Sequence, residues 1–150
     1  SAKKVGSGDG MRLTRDTSPY YRGWVDSSRA AFEAAARALA ARDMAARARV
    51  AEGRCRAMHA AAMAARPRVV YMAPATLAAI DRARAMAASG IPCLFTVDAG
   101  PQVKVICRRE DAGGAREAMS EVAGVRGVLV RLPGKGSSLV PAVGASRPER

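Results

Sequence analysis

The sequence predicts an α+β domain in which helices pack on one face of an antiparallel sheet. Apolar residues recur at helical spacing through residues 18–88, and they alternate or run continuously at 91–108, as in strands. Ala99-Gly100-Pro101 separates the two strand-like runs and indicates a hairpin. A helical pattern and then a strand-like pattern follow at 110–132. Among common designs, a split βαβ-like arrangement is the closest to this order.

The first half of the chain is predicted to be helical. We expect a polar glycine loop after a strand end at residues 1–8, and then helices at 9–16, 18–41, 43–63 and 76–88. Ser18 and Pro19 suit an N-cap and a first helical residue, and Asp43 suits the N-cap of the next helix. Ser89-Gly90 is a typical helix end.

The second half predicts the sheet and its remaining helix. The strands are expected in IPCLFTVDA, in PQVKVICR and, after a helix at residues 110–123, in GVLVRL at 127–132. A loop with a last strand follows, and residues 146–150 form a frayed tail. No internal repeat or composition change divides the chain, so residues 1–150 are predicted to be one domain.

Composition narrows the function classes. The net charge is +12, and 21 of the 25 basic residues are arginine. These residues are spread along the chain without interleaved aromatics, so phosphate-like anions are expected rather than nucleic acid. No run approaches the about 20 apolar residues of a membrane span. The N-terminus lacks the apolar core of a signal peptide, so a cytoplasmic protein without a membrane partner is expected.

Metal chemistry is not expected from the cysteine and histidine positions. Cys55, Cys93 and Cys107 are too few and too scattered for a disulfide framework or a zinc site. Cys93 and Cys107 are expected on neighbouring strands as small buried side chains. His59 lies in an alanine-rich helix without a second histidine or a nearby carboxylate in sequence.

Asp98 is the first candidate for chemistry, because strands disfavour Asp and it stands where a buried strand turns over. It is either a turn-former or a carboxylate at the mouth of a site, beside a glycine that lets a ligand approach, and residue types alone favour the turn. KKVGSGDG at 3–10 is either a phosphate cradle or a flexible terminus. Lys135 in PGKGS either reaches a phosphate or lies in a hairpin turn, and the hairpin turn is favoured.

The order of three segments points further. KKVGSGDGMRLTRDTSPYYRGWVD, then MHA at 58–60, then PCLFTVDAGPQVKVI at 92–106 resemble the C-terminal half of bacterial diphosphomevalonate decarboxylases, in the GHMP kinase superfamily. The resemblance covers about residues 3–107. It implies the GHMP kinase C-terminal fold, of the ferredoxin-like split βαβ type. It also implies a cytoplasmic enzyme of isoprenoid biosynthesis by the mevalonate pathway.

The resemblance also implies a reaction and a site. The family uses ATP and Mg²⁺ to phosphorylate the 3-hydroxyl of mevalonate 5-diphosphate, and loss of phosphate and carbon dioxide gives isopentenyl diphosphate. By position, the resemblance makes Asp98 the catalytic Asp of the DAGP motif, which orients the 3-hydroxyl and accepts its proton. The expected substrate-binding residues are Lys4, Ser7, Gly8, Met11, Ala99 and Gly100. The chain departs from the family where Gly6 replaces a serine, Gly8 an arginine and Gln102 an asparagine.

The phosphate loop of the family's N-terminal half is not found in these 150 residues. We therefore expect a C-terminal piece that is inactive alone, with the N-terminal half of the same enzyme as its partner. ATP and Mg²⁺ are expected to bind mainly to that half, and the family's dimers suggest a homodimer. A GHMP small-molecule kinase and a phosphomevalonate decarboxylase are the catalytic alternatives. A basic domain that binds RNA or another protein is the alternative of a different class.

Overall fold

A computed structural model of the chain describes residues 5–134. In chain order its elements are α1 (Ser7–Thr17), α2 (Tyr21–Asp26), α3 (Ser28–Ala40), α4 (Met44–Met63), α5 (Pro74–Ala88), β1 (Cys93–Val97), β2 (Val103–Cys107) and α6 (Ala112–Ser120). The predicted α+β class is confirmed. Lys4, Lys135, the last predicted strand and the predicted tail at 146–150 lie outside the described residues.

The hairpin forms as predicted and builds the core. β1 and β2 pair antiparallel, with Cys93 opposite Cys107 and Val97 opposite Val103. Alternate residues point to one face, and the core-facing members of the sheet are Cys93, Phe95, Val97, Val103, Val105 and Cys107. Helices α4, α5 and α6 cover that face with Cys55, Ala79, Ile80, Ala83, Met86, Ala115, Ala118 and Met119. The many alanines let these helices approach the strands closely.

Several predicted helix boundaries are confirmed. The Asp43 carboxylate accepts a hydrogen bond from the Ala46 N–H at 2.9 Å and caps α4. Helix α5 ends at Ala88, and Gly90 adopts a φ of 97°, a conformation that side chains disfavour. No helix within residues 5–134 is long and apolar enough to cross a membrane.

The single helix predicted for residues 18–41 is wrong, because the chain is interrupted at Ser27 between α2 and α3. The hydroxyls of Ser27 and Ser28 donate to the Trp24 carbonyl at 2.9 and 3.0 Å and compete with helical bonding. Arg54 of α4 donates to both hydroxyls and to the same carbonyl, and its guanidinium lies 5.4 Å from the Trp24 ring centre. Arg54 therefore attaches α4 to the chain at the interruption between α2 and α3.

The third strand predicted at residues 127–132 is also wrong. The described part of the chain has no regular structure there, and its sheet contains two strands. Leu129 is 80% exposed, whereas Val128 packs against the core. The GVLVRL pattern has β-propensity, but a strand needs a partner edge for its backbone groups, and β1 and β2 pair only with each other here.

A second, smaller apolar cluster lies beside the main core. Its buried members are Ala62, Ala65, Val69 and Tyr71, and Leu13 and Ala99 pack against it. These residues come from α1, from the end of α4 and its following loop, and from the turn after β1. The cluster thus links the N-terminal helix to the turn that bears Asp98.

Candidate functional site

Asp98 lies immediately after β1, on the side of the chain opposite to the core-facing Val97. Its side chain is 75% exposed and forms an ion pair with the ammonium of Lys104 on β2. We name residues 98–102 the acid turn. Within it the Gly100 N–H donates to the Asp98 carbonyl oxygen at 2.8 Å. An exposed ion pair of this kind contributes little stability, so the carboxylate can exchange Lys104 for another partner at small cost.

Gly100 is buried beneath the side chain of Gln102. A Cβ at Gly100 would lie 2.5 Å from the Gln102 Oε1, a distance too short without movement of the amide. Gln102 is exposed and its amide is the end of a flexible side chain, so it can move aside at small cost. In this structure the amide covers the backbone of Gly100, where the sequence suggested close ligand approach.

Buried polar side chains hold the acid turn at both ends. Before it, the His59 Nε2 lies 3.0 Å from the Val97 carbonyl oxygen, and the Cys55 Sγ accepts from the Val97 N–H at 3.3 Å. Near its C-terminal end, the Thr76 hydroxyl donates to the Pro101 carbonyl at 2.8 Å and accepts from the Ala73 N–H at 3.0 Å. Helices α4 and α5 thus each fix one end of the turn.

The bond to Val97 defines the state of His59. A carbonyl oxygen only accepts, so His59 carries a proton on Nε2. Burial lowers the pKa of His59 below its usual value of 6.5, while the hydrogen bond to Val97 and the negative charge of Asp98 act in the opposite direction. A carboxylate that is distant in sequence, Asp98, therefore acts on His59 in the folded chain. The described residues nevertheless contain no group of three metal-ligating side chains.

Three of the expected N-terminal substrate contacts lie on α1. Ser7 and Gly8 occupy its first turn and Met11 its second, and all three are exposed. The predicted loop is thus shorter than expected, because Gly6 is the N-cap and its carbonyl accepts from the Gly10 N–H at 2.9 Å. The first N–H groups of a helix lack helical partners and favour anions.

Tyr71 connects α1 to the surroundings of the acid turn. Its hydroxyl donates to the Gly6 carbonyl at 3.5 Å, and its ring meets the His59 ring edge-on, with 6.2 Å between the ring centres. Burial raises the pKa of Tyr71, and the charge of Asp9 adds to that effect. Ala99 packs on the same cluster. The two segments that carry the expected site residues therefore share one packing unit.

Sequence reasoning missed four residues of this region: Lys104, His59, Thr76 and Tyr71. Lys104 was visible as the one charged residue in an apolar strand, six positions after the acid. His59 was visible in the MHA segment, without a signal for its partner.

A shallow cleft between α5 and α6, lined by Arg82, Met86 and Glu121 among others, includes no residue of the acid turn.

A match to a protein-family model shows the family to which this chain belongs. The model of the mevalonate 5-diphosphate decarboxylase C-terminal domain matches residues 1–128. The chain belongs to this family. The α+β fold is that of the GHMP kinase C-terminal half, as the resemblance implied. No curated protein gives a significant match.

Solved structures that are similar to this chain point to the same family. Similar structures include the mevalonate diphosphate decarboxylase of Enterococcus faecalis, with 34% identity and a TM-score of 0.74 over 77% of this chain and 36% of that chain. Another is the mevalonate pyrophosphate decarboxylase of Streptococcus pyogenes, with 30% identity and a TM-score of 0.77 over 81% and 38%. A third, described as MDDEF in complex with MVAPP, AMPPCP and magnesium, has 33% identity and a TM-score of 0.76 over 81% and 37%. The chain spans less than two fifths of the length of these relatives.

Proposed function

We propose that this chain supplies the C-terminal half of an ATP-dependent decarboxylase that converts mevalonate 5-diphosphate to isopentenyl diphosphate. One observation carries the proposal. In a chain of this family, Asp98 presents an exposed carboxylate from a turn that is fixed at both ends. An acid that must meet a substrate alcohol needs this combination of access and fixed position.

Asp98 has the chemistry of the proposed reaction. Its carboxylate orients the 3-hydroxyl and accepts the proton as that oxygen is phosphorylated. The carbon–oxygen bond then breaks with loss of phosphate, and the carbon–carbon bond to the carboxylate breaks with loss of carbon dioxide. The electrons of that second bond form the new double bond. Lys104 holds the Asp98 carboxylate before the substrate arrives.

The substrate diphosphate is proposed to bind at the start of α1. The N–H groups of the first turn and the Ser7 hydroxyl favour an anion there. Lys4, three residues before Ser7 in the sequence, is proposed to add a positive charge. Gly8 leaves room but contributes no cation where bacterial relatives often have arginine. Met11 is proposed to line the substrate on α1, and Ala99 and Gly100 on the acid turn.

ATP is the proposed phosphoryl donor, with Mg²⁺ as its counterion. The Enterococcus faecalis relative is described as binding ATP, and MDDEF as binding AMPPCP and magnesium. Residues 5–134 offer no cluster of carboxylates or imidazoles for a metal ion. Residues 5–134 therefore do not fit the metal by themselves.

The test combines the chain with a separately produced N-terminal half from the same family, ATP, Mg²⁺ and mevalonate 5-diphosphate. Carbon dioxide release is expected, and Asp98→Asn should reduce it at least about 1,000-fold. Asp81→Asn, which neutralises an exposed carboxylate of α5, is the matched control and should keep full activity. Full activity of Asp98→Asn contradicts the catalytic assignment.

A kinase without decarboxylase activity is the second candidate, and Gly8 in place of the family's arginine favours it. The same assay separates the two functions. Formation of the phosphorylated acid without gas release indicates the kinase. Parallel assays with mevalonate 5-phosphate identify a monophosphate substrate.

A further inference from the structure

The structure assigns a second layer to the site: we propose that His59 and Thr76 are positioning residues that aim the Asp98 carboxylate by holding the two ends of the acid turn. The inference rests on the proposed function for the claim that Asp98 does chemistry. The two contacts that hold the turn are seen in the structure and do not depend on that function. His59 meets the Val97 carbonyl and Thr76 the Pro101 carbonyl.

The two bonded carbonyls are placed where they control direction. The Val97 oxygen belongs to the planar peptide unit that ends at the Cα of Asp98. Fixing that oxygen fixes the plane from which the Asp98 side chain departs. The Pro101 oxygen belongs to the peptide unit that leads out of the turn, and the Gly100 N–H closes the interval by bonding to the Asp98 carbonyl. Little rotation of the Asp98 backbone remains.

Burial shows that these side chains are not core filling. Within the described residues, three polar side chains are buried: Thr14, His59 and Thr76, each 2% exposed. Thr14 bonds within α1, to the Gly10 carbonyl. The other two bond to opposite ends of one five-residue turn. Burying a polar group without a partner is costly, and leucine or valine would fill either space. The His59 ring therefore satisfies its Nε2 proton at the turn, and the Thr76 hydroxyl both caps α5 at the Ala73 N–H and bonds to the turn.

The remaining contacts of His59 support the same role. Its ring packs edge-on against Tyr71, which fixes its rotation, and Cys55 one turn earlier on α4 binds the N–H of the same Val97. Helix α4 thus covers the open edge of β1 at its last residue. The backbone of Val97 is held at this edge by two side chains, His59 and Cys55, rather than by another strand.

The test compares variants that remove each bond with variants that keep it. His59→Leu and Thr76→Val remove the donors, whereas His59→Gln and Thr76→Ser keep a donor at nearly the same place. In the chain alone, amide hydrogen exchange is measured at Gly100 and, as a reference inside the hairpin ladder, at Leu94, which lies opposite Ile106. We expect exchange at Gly100 to accelerate at least about 10-fold in the first pair, with Leu94 nearly unchanged, and to recover in the second pair.

The same variants are then assayed with the N-terminal half and the substrate. His59→Leu and Thr76→Val should lower kcat about 10- to 100-fold with KM within about twofold, and the Gln and Ser variants should restore it. Unchanged exchange at Gly100, or an unchanged kcat in a folded Thr76→Val, overturns the inference. Thr76→Val also breaks the Ala73 bond, so amide exchange at Leu77, whose N–H bonds to the Ala73 carbonyl, is followed as a control for the start of α5. Faster exchange at Gly100 with Leu77 unchanged assigns the effect to the turn, and this decides the Thr76 contact even if His59→Leu does not fold. If Asp98→Asn is fully active, the proposed function fails instead, and the exchange result still decides whether the turn is held.

Discussion

Substitution of Gly10 by alanine tests how tightly α1 packs against the second apolar cluster. Gly10 is buried, and an added Cβ would collide with the Tyr71 hydroxyl and lie 3.2 and 3.4 Å from the Tyr71 Cζ and the Val69 Cγ1. To avoid the clash, the Tyr71 ring must leave its edge-on contact with His59 and the hydroxyl its bond to the Gly6 carbonyl.

Three contributions set the change in the free energy of unfolding that Gly10→Ala causes. Overpacking costs about 1–3 kcal/mol, and loss of the aromatic contact adds about 0.5–1.5 kcal/mol. Alanine returns about 1 kcal/mol through its better helix propensity. The sum predicts that Gly10→Ala lowers the free energy of unfolding by about 0.5–3.5 kcal/mol.

Urea unfolding followed by far-UV circular dichroism measures this change. Gly53→Ala is the matched control, because Gly53 lies inside α4 and nothing lies within 4 Å of an added Cβ. That variant should gain about 0.5–1 kcal/mol. If Gly10→Ala is as stable as the parent chain, α1 does not pack on Tyr71 as described, and the link between α1 and the acid turn is lost.

Three further predictions concern the site and its support. Asp98→Asn should change the free energy of unfolding by less than about 1 kcal/mol, because its ion pair with Lys104 is exposed, and urea unfolding checks this beside the activity assay. Burial lowers the folded-state pKa of His59, so its contribution to stability is present above the unfolded pKa of about 6.5 and is lost as the pH falls through the folded pKa. Urea midpoints measured from about pH 7.5 to about pH 5 should fall less steeply in His59→Gln, and equal slopes contradict this. Arg54→Ala should cost about 2 kcal/mol through its bonds to Ser27 and the Trp24 carbonyl and its contact with the Trp24 ring, whereas Arg54→Lys recovers only part; thermal unfolding distinguishes them.

Local signals in the sequence predicted the parts of the fold that depend on near neighbours. The Asp43 cap, the end of α5 at Gly90 and the hairpin with Cys93 opposite Cys107 all depend on residues close in sequence or on strand periodicity. Asp98 was found because an acid contradicts the pattern of its strand.

Long-range contacts explain what the sequence did not predict. The interruption at Ser27 is stabilised by Arg54, 27 residues later, and His59 and Thr76 reach the acid turn across 38 and 25 residues. Nothing in an alanine-rich helix indicates which carbonyl a buried histidine will meet. The GVLVRL segment shows the converse, since favourable propensity at 127–132 found no strand partner within residues 5–134.

The alternation along β1 has a consequence for how this domain can change in length. Cys93, Phe95 and Val97 face the core, so Asp98 faces away from it by parity alone. Deleting or inserting a single residue within the strand would exchange the two faces and bring either the carboxylate into the core or a core residue into the site. Changes by two residues preserve the parity but move Val97 away from His59. Insertions and deletions within β1 are therefore expected to disturb the core, the contact with His59 or both.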